Sequence, residues 1–138
     1  IDFEKKESTD ELFWKASHDG YLSNFKKIIK REIKINKINN FISGNDQIIS
    51  FSLKKDRCIF NIRFHLTPLC KAVLTRGKMS AIIKTNESSF IFKSNNEINI
   101  EESIFVDNLN KIVKTSQIVI SGFCKNSKKN INWSLSKY

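Results

Sequence analysis

The chain has 138 residues, 40% of them hydrophobic and 28% charged, values that fit one globular domain with a real core and exclude intrinsic disorder. No apolar run reaches the ~18–20 residues of a membrane-spanning helix. The formal net charge of +10 suits nucleic acid, anionic lipid or an acidic partner, although an Ile-, Lys- and Asn-rich coding bias produces the same excess.

From the start of the chain, Ile1 to Glu7 is charged and reads as a flexible arm reaching to about residue 9. Ser8-Thr9-Asp10-Glu11 has the Ser-x-x-Glu spacing of a capping box and predicts a helix over about Asp10 to Ser17, with Leu12, Phe13 and Ala16 on one side. A second helix is predicted over about Tyr21 to Ile33. Its apolar stripe is Leu22, Phe25, Ile28, Ile29 and Ile33, and its opposite side is a basic surface of Lys26, Lys27, Lys30 and Arg31. Ala16 to Leu22 and Thr67 to Ala72 each resemble the opening of an ankyrin repeat, but their separation is not a multiple of the ~33-residue period. Lys34 to Ile42 is a partly alternating strand, and Gly44-Asn45-Asp46 signals a turn.

The clearest pattern is Ile48 to Leu66. Ile49, Phe51 and Leu53 alternate with small or polar residues; after the break Lys54-Lys55-Asp56-Arg57, so do Cys58, Phe60, Ile62, Phe64 and Leu66. Period-two alternation on both sides of a polar break predicts an antiparallel hairpin with the Phe-bearing face inside. Thr67 to Lys78 is a connection with one helical turn at Cys70 to Leu74. Met79, Ala81 and Ile83, then Phe90 and Phe92, then Ile98 and Ile100 alternate in successive strands, separated by polar turns. Glu101-Glu102-Ser103 opens a helix with Ile104, Phe105, Leu109 and Ile112 or Val113 as its stripe, its acids suited to the positive end of the helix dipole. Strands Gln117 to Cys124 and Ile131 to Ser136 end the chain. With 4 Gly and 1 Pro, turns fall to Asn, Asp, Ser and Lys. The fold class is therefore mainly β with flanking helices (α+β), one domain over residues 1–138. It is a small antiparallel lipocalin-like barrel or a β-sandwich, with an N-terminal helical segment and one helix before the final hairpin.

For chemistry the sequence offers little. Three cysteines allow one disulfide between two of Cys58, Cys70 and Cys124 and leave one thiol over. Cys58 lies on the apolar face of its strand, where cysteine acts as a small hydrophobe. His18 and His65 share no nucleophile or metal-ligand spacing with the cysteines, so no catalytic residues, metal or cofactor are expected. The isolated glycines exclude a phosphate loop. The densest basic stretch reads as a solvated helix face. Phe51, Phe60, Phe64, Phe90 and Phe92 are the candidates to face a ligand or partner, as the wall of a cavity or an open edge. The chain starts with Ile rather than Met, which leaves room for a removed leader or an anchor upstream.

Over about residues 34 to 138, this layout of strands and one late helix resembles the small periplasmic partners of membrane-bound transcription regulators of the ToxR/ToxS type. The resemblance implies a lipocalin-like barrel, an obligate heterodimer with a membrane-bound sensor or regulator, and in some members an apolar ligand such as a bile salt. Ile104 to Leu135 also resembles the last helix and hairpin of small secreted invasion-associated β-sandwich proteins. On these grounds the expected function is a non-enzymatic, periplasmic or secreted binding module with a protein partner. The alternatives are a nucleic-acid-binding domain, with the excess Lys and Arg as its footprint, and a secreted host-interaction protein.

Overall fold

The computed structural model describes residues 2–52, 58–124 and 128–138. The strands are β1 (Asp2–Glu7), β2 (Glu11–His18), β3 (Lys27–Asn36), β4 (Phe41–Ser50), β5 (Cys58–His65), β6 (Lys71–Leu74), β7 (Ser80–Lys84), β8 (Ser89–Ser94), β9 (Ile98–Val106), β10 (Ile112–Cys124) and β11 (Lys128–Lys137), with one helical turn, α1 (Leu22–Phe25). They form an eight-stranded sheet in the order β1-β2-β3-β4-β11-β8-β7-β6 and a three-stranded sheet β5-β10-β9. Every pairing is antiparallel. The two open sheets make a β-sandwich. The expected lipocalin-like barrel is not formed, because neither sheet closes on itself.

Both flanking helices are corrected as well. Glu11–His18 is a strand, and the second predicted helix is a single turn followed by β3. The helix expected after Glu101 is instead the end of β9 and the start of β10. The turn expected at Cys70 to Leu74 is β6. The segment expected as an arm pairs along β2 from Asp2↔Ser17 to Glu7↔Leu12.

The ribbon around residues 48 to 66 also changes meaning. Ile48 lies in β4 and Phe60 in β5, and these strands belong to different sheets. No hairpin joins them; the chain passes from one layer to the other, and its polar break, with Leu53, lies outside the described residues. The face assignment agrees with the packing: Phe60 is buried, and Cys58, Ile62, Phe64 and Leu66 pack on the core.

The core sits between the layers. Ile48, Ala81, Ile83, Phe92, Ile131 and Trp133 from the large sheet meet Phe60, Ile98, Ile118, Ile120 and Cys124 from the small one. Phe64 bridges them, its ring centroid 4.9 Å from Phe92 and 4.8 Å from Trp133. Gly44-Asn45-Asp46 does not turn; it lies inside β4. Gly44 is opposite Trp133, and a Cβ there would run into the indole. Polar side chains shape several loops. Asn36 Oδ1 accepts from Asn39 N–H, and Asp107 Oδ1 accepts from the N–H groups of Leu109 and Lys111, each at 2.8 Å.

Candidate functional site

The small sheet has three strands against eight, so the inward side chains of β2 and β3 extend beyond it. Under that overhang, against β5, lies a cleft of about 650 Å³. Trp14, Ala16 and His18 come to it from β2, Lys27, Ile29 and Arg31 from β3, and Asp46 and Ile48 from β4. Cys58 to Arg63 form the opposite wall, and Tyr21 and Phe25 flank the mouth from around α1. The volume is in the range of small-ligand pockets.

Register explains which side chains point inward. Across the large sheet, Ala16 lies opposite Arg31, Arg31 opposite Asp46 and Asp46 opposite Ile131. Asp46 is 2% exposed. Its carboxylate accepts from Arg31 Nε at 2.6 Å, Arg31 Nη2 at 3.0 Å and Trp133 Nε1 at 2.9 Å. A buried carboxylate is tolerable only when its lone pairs are met in this way. Arg31 in turn lies over the rings of Phe64 and Trp133, at 5.5 Å and 6.0 Å from their centroids, which adds cation–π attraction. The Arg31 guanidinium is thus fixed and its charge compensated.

Lys27 differs. It is 7% exposed, and its Nζ donates to the neutral Ser50 Oγ at 3.3 Å. Among the described residues, no carboxylate pairs with Lys27 or Arg63. Around these cations the surfaces are aromatic. His18 and Tyr21 have ring centroids 5.5 Å apart, Tyr21 and Phe25 6.0 Å, and Phe3 packs edge-on against Trp14 at 5.7 Å. The cleft therefore offers apolar ring faces beside the buried Lys27, with the exposed Arg63 at its β5 edge, and neither cation has a carboxylate partner among the described residues.

The structure scatters the expected site residues. Of the five Phe candidates, Phe60 alone lines the cleft. Phe64 and Phe92 fill the core, Phe90 is half-buried against it, and Phe51 is exposed. The four basic residues divide between the faces of β3 and its approach, rather than covering a helix. Lys27 and Arg31 point inward, Lys30 sits on the other face, and Lys26 is the exposed left-handed residue that ends α1. No disulfide joins two of Cys58, Cys70 and Cys124 in this structure; Cys58 and Cys124 face each other across β5 and β10, while Cys70 Sγ contacts Thr67 Oγ1 at 3.3 Å. Trp14, His18, Tyr21, Arg63 and Asp46 were not expected in a site. The available signal was the alternation Lys27-Ile29-Arg31-Ile33 and Ile42-Gly44-Asp46-Ile48, one face of a strand in each case.

Residues 1–134 match the model of the family described as heparinase II/III-like, C-terminal. No curated protein matches the chain. A crystal structure of a heparan sulfate lyase HepC mutant from Pedobacter heparinus shares the fold, with a TM-score of 0.82 at 14% identity. The match covers 99% of this chain and 21% of that one, so the chain spans a small part of that protein's length. These findings overturn the expected kinship with ToxR/ToxS-type partners. The reading as a bile-salt-sensing partner of a membrane-bound regulator falls with it.

Proposed function

The chain belongs to the heparinase II/III-like C-terminal family, and from that premise we propose that it is the glycan-contacting β-sandwich of a polysaccharide-lyase-type protein, holding an acidic polysaccharide in its basic, ring-lined cleft. The observation that carries this reading is the pairing of Lys27 and Arg63, which lack a carboxylate partner among the described residues, with the rings of Trp14, Tyr21 and Phe25 in one cleft. A sulfated or carboxylated sugar presents both complements. Its anionic groups take charge-assisted hydrogen bonds from Lys and Arg, and its C–H faces lie on aromatic rings. The match to a heparan sulfate lyase makes heparan sulfate the first ligand to test.

In this reading the chain binds and does not cleave by itself. His18 and Tyr21 are the cleft side chains best suited to moving a proton, but they meet ring to ring at 5.5 Å rather than as the hydrogen-bonded, oriented pair that acid–base work needs. The domain works in the periplasm or outside the cell, since a long anionic polysaccharide does not cross a bilayer unaided.

Heparan sulfate oligosaccharides titrated against Trp fluorescence should give saturable binding that weakens as salt screens the cations. Lys27→Ala combined with Arg63→Ala should weaken binding about tenfold or more, since a hydrogen bond to a charged group contributes about 1.5–3 kcal/mol. Lys30→Ala, on the outer face, should leave it unchanged. Equal binding of a neutral glycan of the same length, or none of either, overturns the assignment. Cleavage of the polysaccharide by this chain alone overturns its non-catalytic part.

A further inference from the structure

We infer that Cys58 and Cys124 are a redox-active dithiol pair, which a small-molecule disulfide converts into a cross-strand disulfide at the edge of the cleft. The two residues are directly opposed in the antiparallel ladder of β5 and β10. Both side chains point to the core, where Cys124 is 1% exposed and Cys58 packs against the same cluster. Directly opposed residues on one face of such a ladder have Cβ atoms about 4.5–5.5 Å apart, and a disulfide needs about 3.5–4.5 Å. β5 begins at Cys58 and β10 ends at Cys124, so the pair is the last rung of this ladder among the described residues.

The third cysteine is placed differently. Cys70 follows the turn that begins at Thr67 and does not line the cleft. Access is also graded. Cys58 is half-buried and lines the cleft wall, whereas Cys124 is covered. The entering disulfide therefore meets Cys58 first. The Cys58 thiol loses its proton and its sulfur attacks one sulfur of the small disulfide. That S–S bond breaks, and one small thiol leaves carrying a proton. The Cys124 sulfur, giving up its own proton, then attacks Cys58 Sγ in the mixed disulfide and releases the second small thiol. Two protein thiols are oxidised and one small disulfide is reduced. The product clamps β5 to β10 where β5 forms the wall of the cleft. This inference does not depend on the glycan reading.

The test is to incubate the folded chain with glutathione disulfide, without denaturant, and to map the product by mass spectrometry after alkylation and digestion. The expected product is lighter than the reduced chain by two hydrogens, links the Cys58 and Cys124 peptides, and carries the alkyl group on Cys70. Its melting temperature should rise by on the order of 10 °C, because the bond closes a long loop, and excess thiol should reverse the rise. Cys70→Ser should react like the parent; Cys58→Ser and Cys124→Ala should not lose the two hydrogens. A stable glutathione adduct on Cys58 with no internal bond overturns the inference. So does a bond that includes Cys70, or one that forms only after the chain is unfolded.

Discussion

Asp46 shows how one side chain joins stability to the cleft. Among the described residues that line the cleft it is the only acidic group, and it is consumed by Arg31 and Trp133 rather than offered to a ligand. Asp46→Ala would leave the Trp133 indole N–H and a part-buried guanidinium without their acceptor. Breaking a buried pair by removing one partner typically costs about 3–5 kcal/mol; since the Arg31 side chain is 35% exposed and water can reach it, the expected loss is about 3 kcal/mol. Urea unfolding followed by Trp fluorescence measures it, and a loss below about 1 kcal/mol would show that the carboxylate is not the anchor of this cluster. None of this was legible from residue type. Asp46 sits beside a glycine and an asparagine, the company of a turn, and its role comes from two partners far away along the chain, one on β3 and one on β11.

At the scale of elements, the sequence was legible where polar and apolar residues alternate cleanly, and illegible where the inward face carries charge. The cores of β5, β7, β8 and β11 follow period-two alternation, whereas β10 buries Gln117 to Ile120 in a row. β3 has the spacing of a helix because its inward row is Lys27, Ile29, Arg31 and Ile33. With cations at two inward positions, the remaining isoleucines fall at helix-like spacing, and the β-branched character of the stretch was the better guide. The residues that make the cleft are the same ones that disguised the strand. Gly44 gives the middle of β4 the look of a turn, but it is there for space. In the large sheet Trp133 lies over Gly44, and in the small sheet the Phe60 ring comes within 2.6 Å of where a Gly122 Cβ would sit. Each sheet thus seats one large ring above a missing side chain. Gly44→Ala should therefore destabilise the protein by about 2 kcal/mol through overpacking against the indole. Gly77→Ala, with nothing near its Cβ, should be close to neutral. Thermal melts of the two variants make the comparison, and equal melting temperatures would mean that the Trp133 ring moves aside freely.

For the molecule as a whole, alternation could not reveal that β4 and β5 part into different layers, because a hairpin and a crossing between sheets carry the same pattern. The consequence is unequal layers and an unequal distribution of stability. β10 is paired on both sides and holds fully buried Ile118, Val119 and Ile120. β1 lies beyond the reach of the small sheet and is exposed throughout, so it should open locally long before the core. Beyond its ladder, β1 is held by the edge-on packing of Phe3 on Trp14 and by Glu7, which pairs at 3.0 Å with Lys37 just after β3 and at 2.8 Å with Lys5 of its own strand. Hydrogen bonds from Lys5 and Lys37 lower the Glu7 carboxyl from its ordinary 4.5 to about 2. A carboxyl lowered in the folded state stabilises it fully above the ordinary value, and that contribution fades as pH falls from 4.5 towards 2. Being exposed, it is also screened by salt. Protection factors for the β1 amides, corrected for intrinsic exchange, should therefore drop across that pH window at low ionic strength while β10 amides keep theirs, and added salt should flatten the drop. Loss of β1 and β10 protection together would mean that the overhang and the core unfold as one unit, and an unchanged β1 would mean that the Glu7 pairs do not hold it.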